Sequence, residues 1–237
     1  METAVQLIIS GLALGLLYAL VALGFSIIYR ASQVFNFAQG ELVALGAFIM
    51  IQSVDLGMPW VVALLFTMAA TGIAAALIER VILRRLVGRP VYVTIILTIV
   101  LGYVLRTIII IIWGADTQGM PTPWPSMSSV ALGSTNILYN SVGALVAGAV
   151  ALGGFFFLTR YSRLGLGMRA CSIDQEAALS LGIPVGRILG ATWFLAGVSA
   201  ALAGVFLGMF PRSVDANLAA MRTYRTMLQN VLQNMGR

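Results

Sequence analysis

Long apolar runs separated by short polar stretches set the plan of this chain. A helix that crosses the hydrocarbon of a bilayer needs roughly 20 mostly apolar residues. Residues 5–29 exceed that length, whereas 34–52 is shorter and polar at its start; 60–78, 91–113, 138–158 and 188–210 complete the set. None of these runs alternates with the period of two that a barrel strand requires. The pattern therefore predicts an all-α, polytopic helical membrane protein with about six membrane segments. Whether 34–52 spans or re-enters stays open at this level. The first run has no basic stretch before it, is longer than a secretory h-region, and is not followed by a small-residue cleavage site and a polar start, so it is expected to remain as a span.

Composition agrees with the pattern and removes whole classes of chemistry. The chain is 60% apolar and 9% charged, with a mean hydropathy of +0.98; a soluble domain is nearer half apolar and a quarter charged. Every basic residue is arginine, and there is neither lysine nor histidine. Without lysine the chain cannot build a phosphate-cradling P-loop. Without histidine it has no histidine base and no histidine-ligated metal. No catalytic residue, metal site or cofactor is expected. The single Cys171 permits no internal disulfide and is expected to be a passive small residue. The formal charge of +6 suits loops that lie against anionic lipid or an acidic partner surface.

Arginine placement then orients the chain. Arg30 follows the first segment; Arg80, Arg84, Arg85 and Arg89 lie between the third and fourth; Arg160, Arg163, Arg169 and Arg187 lie between the fifth and sixth. By parity these loops share one side, which the positive-inside rule makes the cytoplasm and which leaves the N-terminus outside. The opposite loops, 53–59 and 114–137, lack arginine and carry Asp55 and Asp116. Trp60, Trp113 and Trp124 fall where an outer aromatic belt would sit. Small residues repeat at four-residue spacing at Gly11/Gly15, Gly143/Ala147 and Gly204/Gly208, which lets helices approach closely inside the bundle.

The longest polar stretch is 159–187, and a short helix is expected at its centre. Ser172 and Gln175 have capping-box spacing. Asp174 and Glu176 sit in the first turn, where the helix dipole favours negative charge. Gly182 supplies a left-handed terminus and Pro184 prevents continuation. Ile173, Ala177, Ala178 and Leu181 would form a small apolar face. Such a helix either docks in a shallow groove on a partner or rests on the membrane surface.

Glu176-Ala177-Ala178, three residues, then Gly182 resembles the EAA–G cytoplasmic motif of ABC importer permeases. The run TRYSRLG to LGIPVGR around it is similar to branched-chain amino-acid permease subunits of the LivH type. So are GLALGLLYALVALGFSIIY with NFAQGE, and Glu79-Arg80 before the second basic loop. The resemblance covers roughly residues 8 to 210, taken as a permease domain 1–210 with its coupling loop at 159–187. It implies that Asp174, Glu176, Ala177, Ala178 and Gly182 couple to separate cytoplasmic ATPase subunits. It further implies a second permease subunit, like or unlike, an extracytoplasmic solute-binding protein, and a multi-pass location in a bacterial inner membrane. The cargo implied is a branched-chain, hydrophobic amino acid. A same-fold permease for urea or short amides is the alternative; an ion-coupled carrier would want buried acids or histidines, of which the sequence offers Glu41 as the only buried acid and no histidine, and a membrane enzyme would want a nucleophile–base pair or metal cluster that is absent.

Two further constellations lie inside membrane segments. Asn36, Gln39 and Glu41 sit at the polar start of the second segment, where polar groups in lipid usually face a bundle interior or a pathway. Free N–H groups of a broken helix there could meet a substrate carboxylate; alternatively Asn36 and Gln39 cap a helix and Glu41 pairs with an arginine near the inner surface. The resembled family usually has histidine where Gln39 stands, so a proton-linked role loses its titratable group. Arg106, toward the outer end of the fourth segment, is expected to snorkel or to attract a carboxylate, but not to reach Glu41, which this topology puts near the opposite face. Finally, 211–237 changes character to an amphipathic, Arg/Gln/Asn/Met-containing stretch. It is expected to be an atypical tail, lying in the interface or marking an altered or truncated end.

Overall fold

The computed structural model of the chain describes residues 2–86, 91–125, 129–132, 135–210 and 213–214. Eight α-helices dominate these residues: α1 (Glu2–Ser32), α2 (Gln39–Asp55), α3 (Trp60–Val81), α4 (Val91–Trp113), α5 (Tyr139–Tyr161), α6 (Arg163–Ile173), α7 (Gln175–Ser180) and α8 (Val185–Met209). A 3-10 turn, Leu83–Leu86, follows α3. All but α2, α6 and α7 are long and apolar enough to cross a membrane.

Helix α8 is the centre of the bundle. Most of its side chains are buried, and it packs against α1, α2, α3, α5 and α6. Two glycines allow this. A Cβ on Gly197 would meet the Thr71 carbonyl and Gly72 of α3, and one on Gly204 would meet the Val43 carbonyl of α2. Backbone approach of this kind replaces the hydrophobic drive that lipid cannot supply between helices. The other small-residue pairs divide: Gly143 lies under the Trp124 ring, whereas Gly11 and Gly15 face open space and do not pack inside the bundle.

Helix α2 departs from the simple picture of six spans. Helix α1 ends where Gln33 takes φ 56°, a left-handed terminus without glycine, and the chain stays non-helical until Gln39. Gln39 then lies against Ala196, near the midpoint of α8. Gly46 faces Ala201, and Val43 and Ala47 face Gly204. Helix α2 thus runs parallel to the second half of α8. It starts in the interior of the bundle, and at 17 residues it is about 25 Å long, short of the roughly 30 Å hydrocarbon core.

Two cores result. The larger joins α1, α2, α3, α4, α5 and α8 around Leu17, Leu42, Phe48, Ala200 and Phe206. The smaller sits at the arginine-bearing end, where Ile27, Ala31, Met168, Cys171, Ala178 and Leu189 tie α1, α6, α7 and α8 together. At the opposite end the described residues include four short strands: β1 (Gln118–Gly119), β2 (Ser129–Leu132), β3 (Thr135–Leu138) and β4 (Ser213–Val214). They form two antiparallel pairs, β1 with β4 and β2 with β3. The tryptophans expected in an outer aromatic belt gather at this end, each partly buried. Trp60 lies 6.4 Å from Trp124 and 6.3 Å from Phe206, and Trp113 packs on Phe48. The ring N–H groups explain part of it: Trp60 Nε1 donates to the Pro121 carbonyl and Trp124 Nε1 to Asn140 Oδ1. The tail expected at 211–237 lies outside the described residues except for β4.

Candidate functional site

The stretch 159–187 folds as two helices rather than a loop with one. Ser162 caps α6 by accepting from the Gly165 N–H. Helix α6 runs through Ser172, whose hydroxyl donates to the Arg169 carbonyl. The expected capping box at Ser172 is therefore not formed. Asp174 caps α7 instead, its Oδ1 accepting from the N–H groups of Glu176 at 2.8 Å and Ala177 at 3.0 Å. A carboxylate there satisfies two orphan donors and complements the dipole. The other end closes as expected. Gly182 takes φ 80°, its N–H reaches the Leu179 carbonyl, and the Ile183 N–H reaches the Ala178 carbonyl. These two bonds are a Schellman motif.

The exposed surface of α7 differs from the face expected. Ala178 is 2% exposed and anchors the helix to the smaller core. Ala177 stays outside, beside Ile173 at 87% and Leu181 at 79%. Isolated apolar side chains this exposed are ordinary on a surface; here they flank one short helix fixed at both ends. Asp174 and Glu176 are exposed on it. Cys171, just before it, is buried in the smaller core, and burial raises its thiol pKa above the ordinary value.

An ion pair that sequence spacing did not single out joins this region to α3. Glu79 is buried at the end of α3 and receives Arg84 Nε on Oε1 at 3.2 Å and Arg84 Nη2 on Oε2 at 3.0 Å. The same Nη2 also donates to the Gly186 carbonyl in the first turn of α8. One guanidinium thus binds α3, the turn after it, and the helix into which α7 leads. An acid ending an apolar run, five residues before an arginine, was the available signal. Glu41 is accordingly not the only buried acid.

The second cluster gathers at the break between α1 and α2. Asn36 Oδ1 accepts from the Ala38 N–H at 3.0 Å and Asn36 Nδ2 faces Gln39 Oε1 at 3.4 Å. Gln39 Nε2 donates to the Ala196 carbonyl of α8 at 3.2 Å. Both side chains are fully buried and hold the broken backbone in place. Thr98 of α4 lies at the same break: its hydroxyl donates to the Ile95 carbonyl at 2.8 Å and accepts from the Phe37 N–H at 3.4 Å, with the Phe35 carbonyl also 3.4 Å away. Glu41 and Arg106, expected to lie too far apart, form an ion pair: Arg106 Nη2 to Glu41 Oε1 is 2.8 Å. The physical reason is the break itself. Because α2 starts well inside the bundle, its first turn rises to the level of Arg106 on the parallel α4. Both partners keep some exposure, 27% for Arg106 and 14% for Glu41. Among the described residues no cluster of three or more metal-ligating side chains occurs.

Residues 7–232 match the family described as "Branched-chain amino acid transport system / permease component". The high-affinity branched-chain amino acid transport system permease protein LivH of Escherichia coli K12 is 27% identical, over 98% of this chain and 79% of its own length. BraD of Pseudomonas aeruginosa, named in the same way, is 28% identical with the same coverage. The galactofuranose transporter permease protein YtfT of E. coli K12 is 29% identical over 66% of this chain and 43% of its own. No solved structure matches. A helical bundle with five helices fit to cross a membrane and a match that spans nearly the whole sequence lead to one conclusion: the chain belongs to the family of permease components of branched-chain amino acid transport systems.

Proposed function

We propose that the chain is the membrane-spanning subunit of an ATP-driven importer that carries branched-chain, hydrophobic amino acids across a bacterial inner membrane. The arginine-bearing end faces the cytoplasm. Helix α7 is the docking point there for separate ATPase subunits, and Asp174, Glu176, Ala177 and Gly182 shape it while Ala178 seats it. A second permease subunit, like or unlike, completes the pathway, and a solute-binding protein delivers cargo at the opposite end. Residues 1–210 carry the helices of the permease domain, and the family match continues through 232 into the stretch 211–237. The observation that carries this reading is the form of α7: a six-residue helix, capped at both ends, with exposed apolar residues on it and its far end leading directly into the central helix. A helix this short does not persist alone in water, so its two caps and one buried alanine maintain a shape for something to press on.

Movement of α7 would pass along 182–184 into α8, and through Arg84 into α3. The polar cluster at the break of α2 is the candidate for the pathway. Asn36 and Gln39 are its scaffold, since their hydrogen bonds are made internally, and Glu41 with Arg106 is the part with charge to offer an amino acid's ammonium and carboxylate. The test is uptake of labelled leucine by proteoliposomes of the full transporter. Gly182→Asp places a side chain at φ 80°, which costs about 1 kcal/mol, and adds a charge at the negative helix end. Membrane insertion is expected to survive while uptake and ATPase association are lost. Normal ATPase association in that variant would sink the coupling assignment; uptake competed by urea but not by isoleucine would sink the substrate assignment.

A further inference from the structure

Two adjoining cavities open between α1, α5 and α6 at the arginine-bearing end, with volumes of about 410 and 250 Å³. They share Arg30, Thr159 and Met168. The larger is walled on the membrane side by Leu23, Ile27, Leu152, Phe155 and Phe156. The smaller has a mostly apolar wall too, but it sets Arg169 and Ser172 beside Arg30. Arg30 and Arg169 are both exposed, and among the described residues none that lines either cavity is acidic. Arg169 Nη1 donates to the Thr159 carbonyl at 3.3 Å, which holds its guanidinium at the mouth. Among the described residues the Arg30 side chain has no hydrogen bond or ion pair.

We propose that this paired cavity binds one anionic phospholipid from the leaflet on the arginine-bearing side, with its phosphate between Arg30 and Arg169 and an acyl chain along Leu23, Ile27, Leu152 and Phe156. The division of chemistry favours that occupant over a soluble anion. Two guanidiniums without a counter-charge attract a phosphate. An apolar wall on two membrane-length helices, α1 and α5, with Phe156 exposed on it, leaves a free phosphate nothing to gain and gives an acyl chain a surface to cover. Basic pockets between membrane helices are the setting in which anionic headgroups are held. The site also bridges α1 to α6, so an occupied cavity would brace the helix that leads into α7. This inference rests on the cavity alone and holds whatever the cargo.

The test uses the full transporter in nanodiscs of phosphatidylglycerol or phosphatidylcholine, with retained lipid counted by native mass spectrometry. The wild type is expected to retain one phosphatidylglycerol in preference to phosphatidylcholine. Each neutralised arginine should weaken retention about fivefold, so Arg30→Gln with Arg169→Gln should weaken it roughly twentyfold or more. Arg187→Gln, exposed on the same side but outside the cavity, should leave it unchanged. Leu152→Trp keeps both charges and fills the apolar wall, so it should also displace the lipid, and it serves if the double variant fails to assemble. Equal retention of the two lipids by the wild type, equal loss in Arg187→Gln, or full retention in Leu152→Trp would each overturn the proposal.

Discussion

Replacing Arg84 by methionine removes the cation that holds Glu79, and the structure says what that should cost. Glu79 is 2% exposed and Arg84 38% exposed. Stranding one member of a buried ion pair costs about 3–5 kcal/mol. The guanidinium here is more than a third in solvent, so its share is screened and about 2–3 kcal/mol is the fitting figure. Most of that cost is the unpaired carboxylate, and the second variant follows from this. Glu79→Gln in the Arg84→Met background makes the buried group neutral and should recover at least half, leaving about 1 kcal/mol for the lost hydrogen bonds, including the one to Gly186. For a chain of this size each kcal/mol lowers the melting midpoint by about 2–4 °C. The single variant should therefore melt about 4–12 °C below the wild type and the double variant only about 2–4 °C below it. Thermal unfolding of the detergent-purified protein, followed by circular dichroism, reads both. A double variant as unstable as the single one would refute the reasoning, because it would mean that the buried charge was not the cost.

Asp174→Ala should fray α7 by about 1 kcal/mol, whereas Asp174→Asn keeps the cap; co-purification of the ATPase should fall several-fold in the first and stay near wild type in the second, and equal losses would mean that charge rather than capping matters. Arg106→Met leaves Glu41 alone inside the bundle, so folding yield should fall markedly, and Glu41→Gln added to it should restore yield without restoring leucine uptake; restored uptake would remove the pair from the pathway. Because burial raises the Cys171 thiol pKa, the neutral thiol persists through neutral pH and the reactive thiolate grows in only at higher pH than for an exposed cysteine. Maleimide labelling at pH 7 should therefore be at least about tenfold slower than at Ile173→Cys placed in a Cys171→Ala background, and matched rates would show that the smaller core opens.

Apolar run length by itself determined that this is a polytopic α-helical membrane protein, because a backbone in hydrocarbon must satisfy its own hydrogen bonds. The local caps were partly legible too. Gly182 and Pro184 end α7 as their backbone preferences dictate, and Asp174 was placed at the right end of the helix though in the wrong role. Capping boxes are defined by spacing, and Ser172 had the spacing, but its hydroxyl is already engaged by the preceding turn of a helix that the sequence had left as loop. What only the tertiary structure decided is depth. The short, polar-headed run 34–52 left re-entry open, but nothing in the order of residues says that α2 restarts against the middle of α8, because that level is set by Gln39 meeting Ala196 and by Val43 meeting Gly204, contacts far apart in sequence. Once α2 starts inside the bundle, Glu41 reaches Arg106, an approach that parity alone made impossible. The same holds at the other end, where a guanidinium from the turn after α3 finds a carbonyl of α8. A hydropathy pattern counts residues along one axis; ion pairs and packed glycines fix where along the membrane normal each helix begins, and the candidate site depends on that.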